Sequence, residues 1–357
     1  MPKYHIITIG CQMNKSDSER LASALEKQGY QWSSDKYKAN LVAVNTCGVR
    51  QSAEDRLYGL IPEIKKKNKK SKIVVTGCLV YREDIRRRLK KYVDLWLPIN
   101  KIFNFQINAK CGDYLKIVPK YESKFSAFVP IGNGCDNFCS YCVVPYARGR
   151  EVWRPAKEIL EEVKSLVKMK YKEIILIAQN VNSYKSRNPQ PATRSQKIID
   201  FADLLKMVND IPGDFKLKFL TSHPKDMSDK LIKIMAKCEK FCRQVHLPAQ
   251  SGDDEVLKKM NRKYTAGHYV KLVGKIKKAM PDAEISTDII VGFCGETKKQ
   301  FSNTVKLMKK IKFNQAYIAR YTPRPGTAAY KIKDNVSREE KKRRWQVLNS
   351  LIAYGKK

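Results

Sequence analysis

Three short extended runs at the start of the chain, each followed closely by a cysteine and then by a helical stretch, restrict the fold more than any other feature. The runs are Tyr4 to Ile9, Leu41 to Asn45 and Lys72 to Thr76; the helical stretches are Ser16 to Gln28, Gln51 to Lys67 and Arg82 to Lys91. Strands separated by helices predict βαβ units and a parallel sheet. In such a sheet the carboxyl ends of the strands share one edge, where ligands bind. Cys11, Cys47 and Cys78 stand just past these ends, in Ile9-Gly10-Cys11, Asn45-Thr46-Cys47 and Thr76-Gly77-Cys78, so cysteines far apart in sequence converge in space. One cysteine at a strand end is ordinary packing. Three at equivalent positions predict a shared ligand.

The stretch from Ile99 to about Ser123 has no clear period and reads as a linker or an irregular crossover. Beyond it a second series begins, with strands expected at Ala127 to Ile131, Glu173 to Ala178, Lys216 to Leu220, Gln244 to Leu247, Glu284 to Ile290 and Gln315 to Tyr321. Helices such as Ala156 to Lys168 and Thr297 to Lys310 lie between them. These strands are too few for a closed eight-stranded barrel and fit a partial (β/α)6 barrel, with its site at the strand C-terminal ends. Those ends are polar: Gln179-Asn180-Val181-Asn182, Thr221-Ser222-His223-Pro224, Pro248-Ala249-Gln250-Ser251-Gly252, Thr287-Asp288 and Arg320-Tyr321. Each alone is ordinary turn chemistry; together on one rim they suggest a pocket for a polar ligand.

A second cysteine group lies in Gly134-Cys135-Asp136-Asn137-Phe138-Cys139-Ser140-Tyr141-Cys142. Its C-x3-C-x2-C spacing supplies one thiolate too few for a closed zinc site, which takes four protein ligands. A cubane iron-sulfur cluster on three cysteines leaves one iron open to a substrate or cofactor. Of the remaining thiols, Cys111, Cys238, Cys242 and Cys294 read as spare, although Cys238 and Cys242 have the spacing of one helical turn. The histidines form no constellation. His5 falls inside the first strand and His268 on a helix face, while His223 and His246 lie near the rim without identifiable partners.

Lysine and arginine number 71 against 35 acidic residues, a formal charge of +36, which points to a polyanionic partner. The longest apolar runs are strand-sized, so no membrane span is expected. No signal peptide is visible before the first strand, and a cytoplasmic setting, where thiols stay reduced, follows.

The aromatic Tyr141 before the third cysteine completes C-x3-C-x-aromatic-C, which resembles the signature of radical S-adenosylmethionine (SAM) enzymes. Across the whole chain the resemblance is to the radical SAM methylthiotransferase family. It is carried by Gly10-Cys11-Gln12-Met13-Asn14, Asn45-Thr46-Cys47, Ala53-Glu54-Asp55-Arg56-Leu57-Tyr58-Gly59, Gly132-Asn133-Gly134-Cys135 and Val144-Pro145-Tyr146-Ala147-Arg148-Gly149-Arg150-Glu151. Gln179 to Tyr184, Ser286 to Phe293 and Pro323-Arg324-Pro325-Gly326-Thr327 extend it. Gln12-Met13-Asn14 resembles the MiaB-type, tRNA-modifying branch more than the branch that modifies a ribosomal protein aspartate.

The resemblance implies an α/β chain with an N-terminal methylthiotransferase domain over 1–118 and a radical SAM core over 119–340; a basic C-terminal helix over 341–357 departs from the family pattern, in which a TRAM domain usually follows the core. It implies two 4Fe-4S clusters and SAM. Cys135, Cys139 and Cys142 would hold the cluster that cleaves SAM to a 5'-deoxyadenosyl radical; Cys11, Cys47 and Cys78 would hold the one that provides sulfur. The product would be a methylthio group on C2 of an N6-dimethylallyladenosine beside the anticodon in a tRNA stem-loop. An aspartate of a ribosomal protein and a threonylcarbamoyl-adenosine in tRNA are alternative substrates, and a metal-dependent RNA-binding protein is the non-enzyme alternative.

By position, Tyr141, Gln250, Asp288 and Arg320 would contact SAM or the base, while Asp288 and Arg320 also suit structural roles. Arg148 and Arg150 read either as plain exposed basic residues or, being near the cluster loop, as residues that steer RNA phosphates. An external electron donor, a sulfur donor and a monomeric state complete the expectation. One departure from the family pattern is Cys294, where proline is usual after Val291-Gly292-Phe293.

Overall fold

The computed structural model describes residues 1–101, 113–187 and 198–354. They form two units, one of Met1–Asp136 with Val143–Val152, the other of Asn137–Cys142 with Trp153–Lys357. Cys111 and the rest of 102–112 lie outside the described residues.

The first unit is organised around a strand buried on both faces. In chain order its elements are β1 (Lys3–Ile9), α1 (Gln12–Lys27), β2 (Gln31–Trp32), β3 (Leu41–Thr46), α2 (Gln51–Lys67), β4 (Lys72–Gly77), α3 (Glu83–Leu89) and β5 (Leu95–Leu97). All pairings are parallel, in the order β2-β1-β3-β4-β5. Side chains alternate across a strand. Val42 and Val44 of β3 therefore join Leu57, Ile61 and Ile64 of α2 and Ile85 of α3. Leu41 and Ala43 point the other way, to Leu21, Ala24 and Leu25 of α1. Each fully buried aliphatic side chain contributes roughly 1.5–3 kcal/mol, so a strand apolar on both sides demands helices on both sides.

The expected α/β class and parallel N-terminal sheet are thus present, with two local differences. Helix α1 begins at Gln12, four residues ahead of the expected start, because Asn14 accepts the Cys11 backbone N–H at 3.2 Å and closes the first turn. The stretch read as a linker is not free: Tyr114, Leu115 and Ile117 are buried in the α1-side core.

After a strand β6 (Ser126–Pro130) and a short helix α4 (Val144–Arg148), both of the first unit, the second unit alternates helix and strand. Its elements are α5 (Ala156–Lys168), β7 (Glu173–Ile177), α6 (Phe201–Asn209), β8 (Lys216–Phe219), α7 (Asp229–Lys237), β9 (Gln244–His246), α8 (Asp254–Lys259) and α9 (Ala266–Ala279), then β10 (Glu284–Val291), α10 (Lys298–Ile311), β11 (Gln315–Arg320) and α11 (Arg338–Tyr354). Strands β7 and β8 pair in parallel, as do β9, β10 and β11. Parallel arcs with intervening helices are what an open, partial barrel is made of.

In β10 the alternation is complete: Ile285, Thr287, Ile289 and Val291 are buried, whereas Ser286, Asp288 and Ile290 are half-buried. Helix α11 is not simply a basic surface, since Lys341 pairs with Asp334 at 2.6 Å and Arg344 with the buried Glu296 at 2.7 Å.

Candidate functional site

The strand order of the first unit reverses between β1 and β3, with β2 on one side and β4 and β5 on the other. In open α/β sheets this switch point is where ligands bind. The register there is continuous, with Ile9 beside Thr46 and Thr46 beside Gly77. The Cys47 N–H donates to the Ile9 carbonyl at 2.8 Å and the Cys78 N–H to the Thr46 carbonyl at 2.7 Å, so the ladder extends into the cysteines themselves.

Two glycines let the backbone turn away here. Gly77 has φ +88°, and a Cβ on it would meet the Thr46 carbonyl oxygen at 2.5 Å; a Cβ on Gly10 would meet Asn14 Oδ1 at 2.1 Å. Asn14 is a hub. It accepts from the Cys11 backbone, donates to Asn45 Oδ1 at 2.9 Å, and its carbonyl accepts from Asn45 Nδ2 at 2.8 Å. These bonds give a physical reason for Gly-Cys-Gln-Met-Asn and Asn-Thr-Cys.

Cys11, Cys47 and Cys78 are close enough to influence one another electrostatically. Burial pushes the Cys78 thiol up to about 11; Arg148 opposes this, and the Cys47 and Cys11 sulfurs add to it. Burial also raises the Cys47 thiol, partly countered by the Val49 N–H, which lies 3.3 Å from the sulfur. Among the described residues no group of three or more His, Cys, Asp or Glu is arranged around a single metal ion. Three thiols set by strands roughly 4.8 Å apart suit a larger body, and an all-sulfur donor set suits iron-sulfur.

Arg148 corrects the expectation of an exposed phosphate-steering residue. It is 4% exposed, donates from Nε to Cys78 Sγ at 3.2 Å and from Nη1 to Asn133 Oδ1 at 3.0 Å, and pairs through Nη2 with the buried Asp17 at 2.5 Å. Burial alone would ease its proton off. Asp17, Cys78 and Tyr114 together outweigh burial and hold the guanidinium charged well beyond its ordinary range, whereas burial raises the Asp17 carboxyl against the pull of Arg148. Arg150, by contrast, is exposed, with Asp136 at 3.0 Å.

Of the second cysteine group, Cys135 belongs to the first unit, where its N–H donates to the Gly149 carbonyl at 3.1 Å. Cys139 and Cys142 belong to the second. Their loop is clasped by one segment, 259–262: the Ser140 N–H reaches the Met260 carbonyl at 3.0 Å, Ser140 Oγ the Lys259 carbonyl at 2.7 Å, and Asn261 Nδ2 the Phe138 carbonyl at 2.9 Å. Arg262 then donates to Cys139 Sγ at 3.4 Å, Tyr264 Oη at 2.8 Å and the Pro248 carbonyl at 2.9 Å. Sequence reasoning missed this segment entirely; the only signal was two polar residues, Asn261 and Arg262, directly after a helix.

Tyr141 packs edge-on to Phe293, in a cluster with Met260, Cys294 and Tyr321, and burial raises its phenol well above the usual range against the pull of Arg262. Gln250 is held at φ +65° by backbone bonds to Asp288 and Ile290 at 2.8 and 2.9 Å. Asp288 Oδ2 accepts from His246 Nε2 at 3.2 Å, while His246 Nδ1 lies 3.0 Å from Ser286 Oγ; His246 therefore has the partners that sequence reading did not find. Asp288 sits beside Tyr317 in register, but Arg320 pairs with Val291 and so alternates to the opposite face of β11, where it is exposed. The structure brings Gln250 and Asp288 together and leaves Arg320 apart.

The rim of the second unit offers unmet acceptors to a polar ligand. The side-chain oxygens of Gln179, Asn180, Asn182 and Gln250 are buried without a hydrogen-bond partner among the described residues. An unsatisfied buried acceptor costs about 1–3 kcal/mol, which donors on a ligand's amino and hydroxyl groups would relieve.

His223 is a different case. It is buried against Tyr264, and burial, with Arg262 and Lys225 nearby, drives its pKa down to about 2. Cys238 and Cys242 are not one helical turn apart, because α7 ends at Lys237 and Cys238 caps it. Cys294 is 1% exposed, with its sulfur 3.6 Å from the Ala329 carbonyl, so it fills the core where the family has proline. No helix among the described residues is long and apolar enough to cross a membrane.

Comparison with known proteins agrees over both units. The profile of the radical SAM superfamily matches residues 129–308, and that of the uncharacterized protein family UPF0004 matches 3–98. A tRNA-2-methylthio-N(6)-dimethylallyladenosine synthase of Clostridium botulinum (strain Loch Maree / Type A3) is 41% identical over 98% of this chain and 81% of its own length. The synthase of the same name from Clostridium novyi (strain NT) is 42% identical, with the same coverage. Among solved structures, the radical SAM methyltransferase TsrM of Kitasatospora setae, with cobalamin and a [4Fe-4S] cluster bound, superposes with a TM-score of 0.61 at 14% identity, over 92% of this chain and 77% of that one. That likeness concerns the fold.

Proposed function

Since the chain belongs to the family of tRNA-2-methylthio-N(6)-dimethylallyladenosine synthases within the radical SAM superfamily, we propose that it adds a methylthio group to C2 of N6-dimethylallyladenosine next to the anticodon of tRNA. The protein is a radical SAM methylthiotransferase whose cofactors are SAM and two 4Fe-4S clusters. The functional division runs 1–118 for sulfur delivery, 119–340 for radical generation and 341–357 for the closing helix.

The observation that carries the reading is the convergence of Cys11, Cys47 and Cys78 on one sheet edge at the topological switch point. These thiolates hold one cluster, and Cys135, Cys139 and Cys142 hold the other. When bound, the cofactors supply a 5'-deoxyadenosyl radical at the second group and the transferable sulfur at the first. The protein's own part is to hold and orient. Asn14 and Asn45 fix the Cys11 turn, and the 259–262 segment fixes Cys139 and Cys142. Tyr141, Gln250 and Asp288 face SAM or the base, with the orphaned amide oxygens of Gln179, Asn180 and Asn182 accepting ligand hydrogen bonds. Arg320, exposed on the opposite face of its strand, stands outside this set.

The partner is a tRNA anticodon stem-loop, bound as a monomer in the cytoplasm, with electrons from an external donor and sulfur from a separate donor. The strongly basic composition supports the RNA partner. The deciding experiment is anaerobic reconstitution followed by incubation with SAM, a reductant and prenylated tRNA, with nucleosides read by mass spectrometry. A gain of the methylthio group at the prenylated adenosine is expected, and its absence rejects the substrate assignment. About eight irons per chain are expected for two cubanes; bound zinc without sulfide would overturn the clusters themselves.

A further inference from the structure

Each cysteine group has one buried arginine donating to a sulfur, yet only one of the two cations is neutralised by protein. Arg148, at Cys78, is paired with Asp17 at 2.5 Å, and the two side chains are 2% and 1% exposed. Carboxylate and guanidinium cancel. Arg262, at Cys139, is 7% exposed and donates to a phenol oxygen, a backbone carbonyl and the sulfur. Among the described residues no carboxylate stands within ion-pair distance of it.

A buried charge without an opposite charge is strongly unfavourable, and proteins keep one where a counter-charge is present. Among the described residues, the only group in contact with Arg262 that becomes anionic on loading is the Cys139 sulfur. Three thiolates around an oxidised cubane core leave one net negative charge, and reduction adds a second. Net charge and hydrogen bonds to the sulfurs are among the terms that set a cluster's potential.

We propose that Arg262 is a positioning residue that supplies the counter-charge of the Cys139 thiolate and raises the reduction potential of the cluster on Cys135, Cys139 and Cys142. Arg148, cancelled by Asp17, gives its sulfur a hydrogen bond without net charge. The two sulfur-bonded arginines thus differ by one unit of charge once their ion-pair partners are counted, and the uncancelled one stands where an electron must arrive before SAM can be cleaved. In that reduction one electron passes from an external one-electron donor, dithionite in the test, to the cluster. No bond in the protein breaks, and Arg262 keeps its proton. The inference rests on the cluster assignment made under the proposed function.

The test is a reductive titration of the full chain, reconstituted anaerobically in a background with Cys11, Cys47 and Cys78 replaced by alanine, followed by electron paramagnetic resonance. Arg262→Gln, which keeps a donor and loses the charge, is expected to shift the midpoint potential downward at unchanged iron content. Arg262→Lys, which keeps the charge, restores most of the shift. A fully loaded Arg262→Gln with the parent potential overturns the inference. If Arg262→Gln does not load iron, Arg262→Lys decides: a potential near the parent's supports the charge effect, and a large downward shift overturns it. Failure of the parent to load iron at all rejects the cluster assignment, a distinguishable result.

Discussion

The two cysteine groups are held in place by different means. In the first unit Cys11, Cys47 and Cys78 take their positions from the register of three parallel strands, so backbone hydrogen bonds do the placing and the sequence separation is bridged by the sheet. In the second unit Cys139 and Cys142 sit on a loop that belongs to no sheet and is clasped by side chains and carbonyls of 259–262. The first arrangement tolerates loss of a single side-chain contact, because the ladder remains. The second has no ladder, and each clasp counts.

The sharpest way to break this comparison is at the cysteines. Cys139→Ala is expected to abolish both SAM cleavage and methylthio transfer, whereas Cys47→Ala abolishes transfer and leaves reductive SAM cleavage, both read by chromatography of 5'-deoxyadenosine and modified nucleoside. Equal loss of cleavage in both variants would falsify the division of labour.

A smaller effect is expected from Asp17→Asn. It strands Arg148 in the interior, and removing one partner of a buried pair costs about 3–5 kcal/mol, measured as a lowered urea midpoint at constant slope. Asn261→Gly keeps the left-handed backbone at φ +55° easy and deletes only the side-chain bonds to the Asn137 and Phe138 carbonyls. A loss of about 1–2 kcal/mol follows, with faster iron release in the presence of a chelator. If Asn14→Ala, at the other group, speeds iron release more than Asn261→Gly, the contrast between ladder and clasp is wrong.

The smallest effect concerns His223, whose folded pKa is depressed from 6.5 to about 2, chiefly by burial and then by Arg262 and Lys225. The unfolded chain takes up the proton first, so the stability tied to the neutral ring is whole above pH 6.5 and is lost as pH falls toward 2. His223→Gln should therefore lose less stability than the parent between pH 7.5 and 5, compared by urea unfolding at each pH.

The elements were largely legible because their causes are local. Leu41 to Val44 is an unbroken apolar run of the kind a strand covered on both faces requires, and Cys47 follows two polar residues later, so both strand and ligand position could be read together. Helix α2 was legible to the residue. What stayed hidden depended on distant partners. Arg148 read as a surface cation because arginine is rarely buried unless paired, Arg262 drew no notice at all, and their partners Asp17 and Pro248 are set by the fold. His246 meets Asp288 only because β9 and β10 are neighbours in register. Cys238 and Cys242 have helical spacing in a chain that has already left the helix.

The continuous register at the switch point has one more consequence. The separation between the points from which the sulfurs hang is fixed by the hydrogen-bonded repeat of the sheet, and therefore exists before any inorganic atom arrives. Unlike a zinc finger, which folds around its metal, this part of the chain acts as a ruler cut in advance. Stripping its iron should leave the sheet standing and ready for refilling, without the protein having to fold again.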